Sequence, residues 1–311
     1  MVERETERGK TNRDQEELAF VYLGGFWPTV QIFVAFFDHG GTGILGFPTT
    51  FLYANDLIDA LKNMAAAKKF KKMVIYIEAC ESGSIFNNLI PDDINIYVTT
   101  AATPFESSYG CDCSVPGVLD GVCLNDCYSN NWMLDVQNHT TASLFKYSME
   151  ENYDVISRET TMSTVCQYGD MSIANEPFGR YIALKSSDEA VTPVARSEST
   201  HSVDSRDIKL HYLTRAYENA QDDETKRVKL QELNEEIQSR MNVGKFMDSV
   251  MTNFNMVDVN AAPVPPSPQQ CYSQSVADID FVCYKRMMKS KCQVPSSLLF
   301  FSLSLITILI L

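Results

Sequence analysis

Two stretches decide how this chain is read: Val30–Gly40, VQIFVAFFDHG, and Lys71–Ser84, KKMVIYIEACESGS. Each is a continuous apolar run, too short for a membrane span and without the alternation of a half-buried strand. That is the signature of a strand covered on both faces. Each run ends abruptly in polar residues and glycine, the first in Asp38-His39-Gly40 and the second in Glu78-Ala79-Cys80-Glu81-Ser82-Gly83. Between them Asn55–Ala67, NDLIDALKNMAAA, carries apolar residues at helical spacing, and Ile94–Ala102, INIYVTTAA, reads as a third buried strand. Strand, helix and strand in this order imply right-handed crossovers and a mostly parallel sheet flanked by helices, an α/β fold.

Around this centre the 311 residues divide into five zones. Residues 1–29 are a polar leader without the apolar core of a signal peptide. Residues 30–185 are the α/β domain; within 186–222, residues 186–205 are a Ser/Thr-rich linker and a charged helical pattern begins at Arg206. Residues 223–292 hold more charged helix, a Pro-rich break and a cysteine-bearing piece; 293–311 are an uncharged apolar tail. From Leu298 onward that tail falls short of the roughly 20 residues a spanning helix needs. A short membrane anchor and a mistranslated end both stay open for it. With 40 acidic and 26 basic residues the formal charge is −14, which speaks against binding duplex nucleic acid. Nine cysteines suggest disulfides and an oxidising compartment.

His39 and Cys80 are the residues with chemical promise. In a parallel sheet, side chains at the carboxyl ends of strands line the ligand crevice. If the two strands are neighbours, an imidazole and a thiol emerge side by side, with the backbone N–H groups of Gly40 and Cys80 available to an oxyanion. A cysteine or a histidine alone after a strand is more often a packing residue. Their joint occurrence at two glycine-flanked strand ends favours a cysteine hydrolase. Cys111, Cys113, Cys123 and Cys127 have spacing loosely suggestive of zinc, but lack paired C-x₂-C ligands and a nearby histidine, so disulfides are the better reading. Asn138-His139-Thr140 is a glycosylation sequon, and an unmodified loop is its plain alternative.

Phe37–Gly43, FDHGGTG, together with Glu78–Ser84, EACESGS, resembles the legumains, asparaginyl endopeptidases among the caspase-like cysteine proteases. The likeness continues through Asn95–Tyr109, Tyr128–Trp132 and Cys166–Asp170, dense over about residues 30–185 and looser over 203–285. The resemblance implies a caspase-like fold with a carboxy-terminal helical prodomain and no cofactor. It implies His39 as general base and acid and Cys80 as nucleophile. Glu78 and Asp126 would line the pocket for the residue before the cut, with Ser107 and Ser108 as its wall. Carboxylates accept the NH₂ hydrogens of a carboxamide, which suits Asn, and Asp once acid protonates it.

The same resemblance implies bridges Cys113–Cys123 and Cys111–Cys127, an activation peptide whose residues Arg206–Glu218 lie over the active site, a helical prodomain that inhibits its own enzyme, and autocleavage after Asn219 with release in acid. Protein and peptide substrates containing Asn would be the partners, and a lysosome or vacuole the location, although no signal peptide is visible. Contact with a membrane through the apolar tail stays open. Cys271 and Cys283 match two of four prodomain cysteines, and Cys292 is a doubtful third. Legumains carry a signal, a first strand with an Asn that orients the histidine, and an Arg-His pair under the pocket, all upstream of this match. Residues 1–29 do not replace them. The resulting expectations are an unpaired sheet edge beside the His39 strand and weak turnover by this chain. Two rivals remain: an impaired homologue that acts by binding, and the catalytic subunit of a GPI transamidase, against which EACESGS and the prodomain pattern speak.

Overall fold

Strand β1 (Gln31–Phe37) sends Ile32, Val34 and Phe36 to one side and Phe33 and Ala35 to the other, and all five are buried. β5 (Lys72–Glu78) does the same with Met73, Ile75 and Ile77 against Val74 and Tyr76. The absence of alternation in the sequence therefore has a direct cause: both faces lie under apolar layers. The computed structural model describes residues 29–113, 121–182, 201–253 and 305–310.

β1, β5 and β6 (Ile96–Thr100) run parallel, with Phe37 opposite Glu78 and Ile77 opposite Thr100. β9 (Cys166–Gly169) closes the far side of β6 in the antiparallel sense. Helix α1 (Ala54–Ala66) covers one face through Ala54, Leu57, Ile58 and Leu61, the i, i+3, i+4, i+7 stripe expected from its sequence. The other face carries α2 (Cys127–Gln137) and α4 (Met149–Glu159). Phe33, Tyr76, Trp132 and Phe178 form an aromatic cluster there, with ring centroids 5.2–5.9 Å apart. Ser148 and Glu151 make a capping box that fixes where α4 begins.

Two small antiparallel sheets sit at the end of the parallel strands. One joins β2 (Gly40–Gly41), β3 (Ile44–Gly46) and β4 (Phe51–Tyr53); the other joins β10 (Val203–Asp204), β7 (Tyr109–Cys111) and β8 (Asn125–Asp126). Short helices α3 (Thr141–Leu144) and α5 (Gly179–Ile182) connect the larger elements. Helices α6 (Ile208–Glu218) and α7 (Asp223–Asn253) then pack together.

Two expectations from the sequence need correction. The stretch 186–205 is not linker throughout, because Val203 and Asp204 pair with Gly110 and Tyr109. More consequentially, the edge of β1 is not unpaired. Residues Leu305–Ile310 form strand β11, antiparallel to β1, so the main sheet runs β11-β1-β5-β6-β9. The polar leader, the cysteine-bearing piece with Cys271, Cys283 and Cys292, and residues 183–200 lie outside the described residues.

Candidate active site

Because β1 and β5 are neighbours in register, their ends bring two loops together. The Asp38 N–H donates to the Glu78 carbonyl at 3.2 Å, and the Gly46 N–H donates to the His39 carbonyl at 2.8 Å. The Gly43 N–H donates to Ser84 Oγ at 2.8 Å, which laces the His39 loop to the turn after Cys80. Gly40 is where the two loops touch: a Cβ there would stand 2.6 Å from the Cys80 carbonyl oxygen. Only glycine allows that approach. Glu81, next to the thiol, has φ +48°, a left-handed conformation uncommon outside glycine and concentrated at functional sites. The His39 side chain is exposed, whereas Cys80 is 1% exposed.

Cys80 Sγ accepts the Ser108 N–H at 3.4 Å and lies 3.7 Å from Ser108 Oγ. Burial pushes this thiol up, and the Ser108 bonds and the Arg206 charge only partly offset that. At rest it is therefore a neutral thiol that needs a base before it can attack.

Glu78, 2% exposed, accepts both the N–H (2.8 Å) and the Oγ–H (2.9 Å) of Ser129 on Oε2. Its Oε1 is buried without a hydrogen-bond partner. Burial first, then the neighbouring Asp126, raise the Glu78 carboxyl well above its ordinary range. Asp126 is itself raised to about 6 by burial and by Asp38. Glu78, Asp126 and Ser108 are thus brought together as the sequence suggested. Asp38 joins them through its charge on Asp126, a contact that nothing in the FDHGGTG motif marks. Ser107 is placed differently: its Oγ accepts from Arg206 Nη1 at 3.2 Å. Disulfides Cys111–Cys127 and Cys113–Cys123 both form; the first ties β7 to the residue that follows Asp126.

The site is covered from within the chain. The Ser205 N–H donates to the Ser108 carbonyl at 3.0 Å, and Ser205 Oγ stands 3.2 Å from Ser108 Oγ. Arg206 pairs with Glu81, the residue after the nucleophile candidate. Behind it Arg240 of α7 donates to the Arg206 carbonyl at 2.7 Å and pairs with Asp207 and Glu236. Lys209 also pairs with Glu236. Arg206 lies beside the site, as the resemblance implies for Arg206–Glu218; sequence reading missed Ser129 and Ser205, because nothing local marks a serine that meets the site only after the chain has folded back. Asn219 is the exposed residue that follows α6. Asn138 is likewise exposed at the end of α2, while Thr140 of the sequon caps α3.

The raised Asp126 carboxyl gives a signed expectation. A carboxyl at about 6 in the folded chain, against an ordinary 3.8, holds its proton more tightly when folded. Its favourable contribution is complete below about pH 4 and is lost as pH rises through about 6. Asp126→Asn imitates the protonated form, so it should raise the thermal midpoint at pH 7.5 and leave it nearly unchanged at pH 3.5. Equal midpoint shifts at the two pH values would show that Asp126 is not held in this way.

Residues 28–249 match the Peptidase C13 family. The chain belongs to that family. It is 34% identical over 258 residues to a hemoglobinase from Schistosoma japonicum, covering 82% of this chain and 59% of that protein. It is 34% identical over 268 residues to legumain from Bos taurus, covering 83% of this chain and 59% of that one. Over a shorter 168 residues, 50% of this chain and 33% of the other, identity to a vacuolar-processing enzyme from Phaseolus vulgaris reaches 44%. The chain spans about half the length of the curated relatives it matches. Family membership agrees with the parallel core and with the helices on both of its faces.

Proposed function

We propose that this chain is a cysteine endopeptidase that cuts peptide bonds after Asn, and less readily after Asp, from a self-inhibited precursor. The observation that carries the reading is the meeting of the β1 and β5 ends, which sets the His39-Gly40 loop against Cys80 beside Glu78 and Asp126. In the reaction Cys80 Sγ attacks the scissile carbonyl as His39 takes the thiol proton. The N–H groups of Gly40 and Cys80 hold the oxyanion. The C–N bond breaks, the amine leaves with the proton from His39, and water then hydrolyses the thioester. The substrate carboxamide offers both kinds of partner to this pocket. Its NH₂ hydrogens suit an ionised carboxylate. Its C=O suits Oε1 of Glu78, which has no hydrogen-bond partner and carries the proton of the raised carboxyl because Oε2 accepts from Ser129.

Inhibition by the chain's own carboxy-terminal part is supported by β10, Ser205 and Arg206, which occupy the ground above Cys80 as an added strand, the way a bound peptide would. Acid release is supported by the Glu236 hub. Against the cost of burial, Lys209 and Arg240 hold Glu236 below its ordinary 4.5. A carboxylate held low contributes stability above about pH 4.5 and loses it as pH falls further. Asp126 therefore takes up a proton before the hub fails. Two disulfides, an exposed sequon asparagine and relatives named for the vacuole favour a secretory route to a vacuole or lysosome.

The test is acid treatment of the full 311-residue chain between pH 3.5 and 7, followed by peptides that differ only in Asn, Asp, Gln or Lys before the cut. Cleavage should favour Asn, with Asp gaining as pH falls, and a fragment beginning at Ala220 should appear. Indifference to the residue before the cut, or a new terminus elsewhere, would remove the specificity or Asn219 respectively. In the same assay, read at an alkaline pH where the lost Arg206 charge no longer limits the thiolate, Arg206→Ala should speed alkylation of Cys80 on the order of tenfold, because it unpairs the cover from Glu81. An unchanged rate would mean that the cover does not depend on Arg206.

A further inference from the structure

The segment that covers Cys80 lies on β7 in a defined antiparallel register. Val203 faces Gly110 and Asp204 faces Tyr109, and the Ser205 N–H continues the ladder to the Ser108 carbonyl at 3.0 Å. Ser205 thus stands level with the residue whose N–H donates to Cys80 Sγ. The next side chain, that of Arg206, reaches the wall of the site. Its Nη1 donates to Ser107 Oγ at 3.2 Å and its Nη2 donates to Glu81 Oε2.

We propose that Glu81 and Ser107 form a binding subsite for a cationic side chain, arginine above all, on the substrate residue that follows the cut bond. This rests on the endopeptidase reading and adds to it the residue on the leaving side. A peptide lying on β7 in the sense of the covering segment has the residue before the cut in the place of Ser205. The residue after the cut then takes the place of Arg206.

Three observations on the pair support this. First, the Glu81 side chain is 11% exposed and the Arg206 side chain 50%. The carboxylate belongs to the wall, and the guanidinium comes to it from outside. Second, that wall is fixed in advance. The Glu81 N–H donates to the Glu106 carbonyl at 2.8 Å, and the Glu81 carbonyl accepts the Ser84 N–H at 2.8 Å and Ser84 Oγ–H at 2.6 Å. Glu106 is held in turn, its Oε1 accepting the N–H groups of Thr103 (2.9 Å) and Thr164 (2.8 Å). A group placed in this way binds a partner with little ordering cost. Third, Ser107 Oγ and Glu81 Oε2 take two different nitrogens of one guanidinium. A fork meets both acceptors at once, whereas a lysine ammonium is a single point, so arginine is favoured over lysine.

When the cover leaves, Arg206 leaves with it. A substrate that brings a guanidinium to the same place restores the charge-assisted bond to a carboxylate with little exposure to water. At longer range the formal charge of −14 also draws cationic peptides toward the chain.

The test uses the unaltered 311-residue chain after acid treatment, assayed at about pH 6 with peptides that differ only in the residue after Asn. Arginine there should give a kcat/KM about fivefold or more above citrulline, which has nearly the same shape without the charge. Lysine should fall between them, and Glu should be cut most slowly. Glu81→Gln should bring arginine to within about twofold of citrulline and keep the preference for Asn before the cut. Arginine and citrulline placed just before Asn should show no difference that depends on Glu81. Equal rates for arginine and citrulline after Asn, or a ratio that survives Glu81→Gln, would overturn the subsite. A Glu81-dependent gain from arginine before Asn would overturn its place on the leaving side. Failure to cut any of the peptides would overturn the endopeptidase reading instead. A binding measurement then decides the subsite without turnover. In Arg206→Ala, propylguanidinium should raise the thermal midpoint by about 2 °C or more over its uncharged analogue propylurea, and adding Glu81→Gln should abolish that difference. Equal midpoints with the two compounds, or a difference that survives Glu81→Gln, would overturn the subsite whatever the peptides show.

Discussion

Cys80→Ala lowers acid-dependent turnover of an Asn-containing peptide by about 10³-fold or more, since removing a covalent nucleophile leaves only binding and oxyanion contacts. The thermal midpoint changes little, because a buried thiol replaced by a methyl group leaves a small gap beside Ser108. The decisive pairing is with Cys166→Ala. Cys166 is the other free cysteine among the described residues and is partly buried on the edge strand β9, two strands across from β5. It should leave turnover within about twofold, as expected of a residue away from the reacting atoms. An electrophilic Asn peptide should label the Cys166 variant and not the Cys80 variant. Labelling that survives in Cys80→Ala would transfer the nucleophile to another residue and remove the centre of the proposed mechanism.

Gly40→Ala should be the second most damaging single change. Its methyl group would stand 2.6 Å from the Cys80 carbonyl and 2.9 Å from the Ala79 side chain, both closer than ordinary contact. One obstacle is backbone, so relief requires the His39 loop and the Cys80 loop to separate. Separation moves the Gly40 N–H away from the oxyanion position, and loss of one such donor costs about 10²–10³ in kcat. Substrate affinity should fall much less, because Glu78, Ser108 and Asp126 are untouched. Gly43→Ala is the control. Nothing lies within 4 Å of its added carbon, so only the positive φ of +73° is strained and the effect should be mild. Equal losses from the two variants would mean that loop flexibility, rather than the close approach, is what matters at Gly40.

The contrast between these glycines shows where sequence reading reaches its limit. Both stand in the same motif, and neither composition nor spacing says which one abuts Cys80. The parallel core itself was legible, because a strand buried on both faces must be apolar throughout and α1 must carry one stripe. The adjacency of His39 and Cys80 followed from that core, since both leave neighbouring strands at the same end. The four cysteines of the loop were legible only as a set. Their pairing came from resemblance and is now fixed by the closing of β7 on β8 and α2.

Other features depended on parts of the chain that meet only after folding. Asp38 raises Asp126 although 88 positions separate them, and Arg206 reaches Glu81 across a separation of 125. Such pairings involve ordinary polar residues with no local pattern, so their sequence neighbourhoods carry no signal. The tail is the clearest case. Its composition establishes that it is apolar and uncharged, but composition does not choose among an anchor, an accident and a strand. What decides is the pairing of residues 305–310 with β1, and that pairing is a property of the assembled sheet. By itself the sequence determined the buried parallel strands, their helix and the two reactive side chains at their ends, because burial and periodicity are local. The tertiary structure alone decided that Asp38 joins Glu78 and Asp126, that Ser205 meets Ser108 and Arg206 meets Glu81, and that residues 305–310 pair with β1, because each requires groups distant in sequence to satisfy one another's charge or backbone bonds.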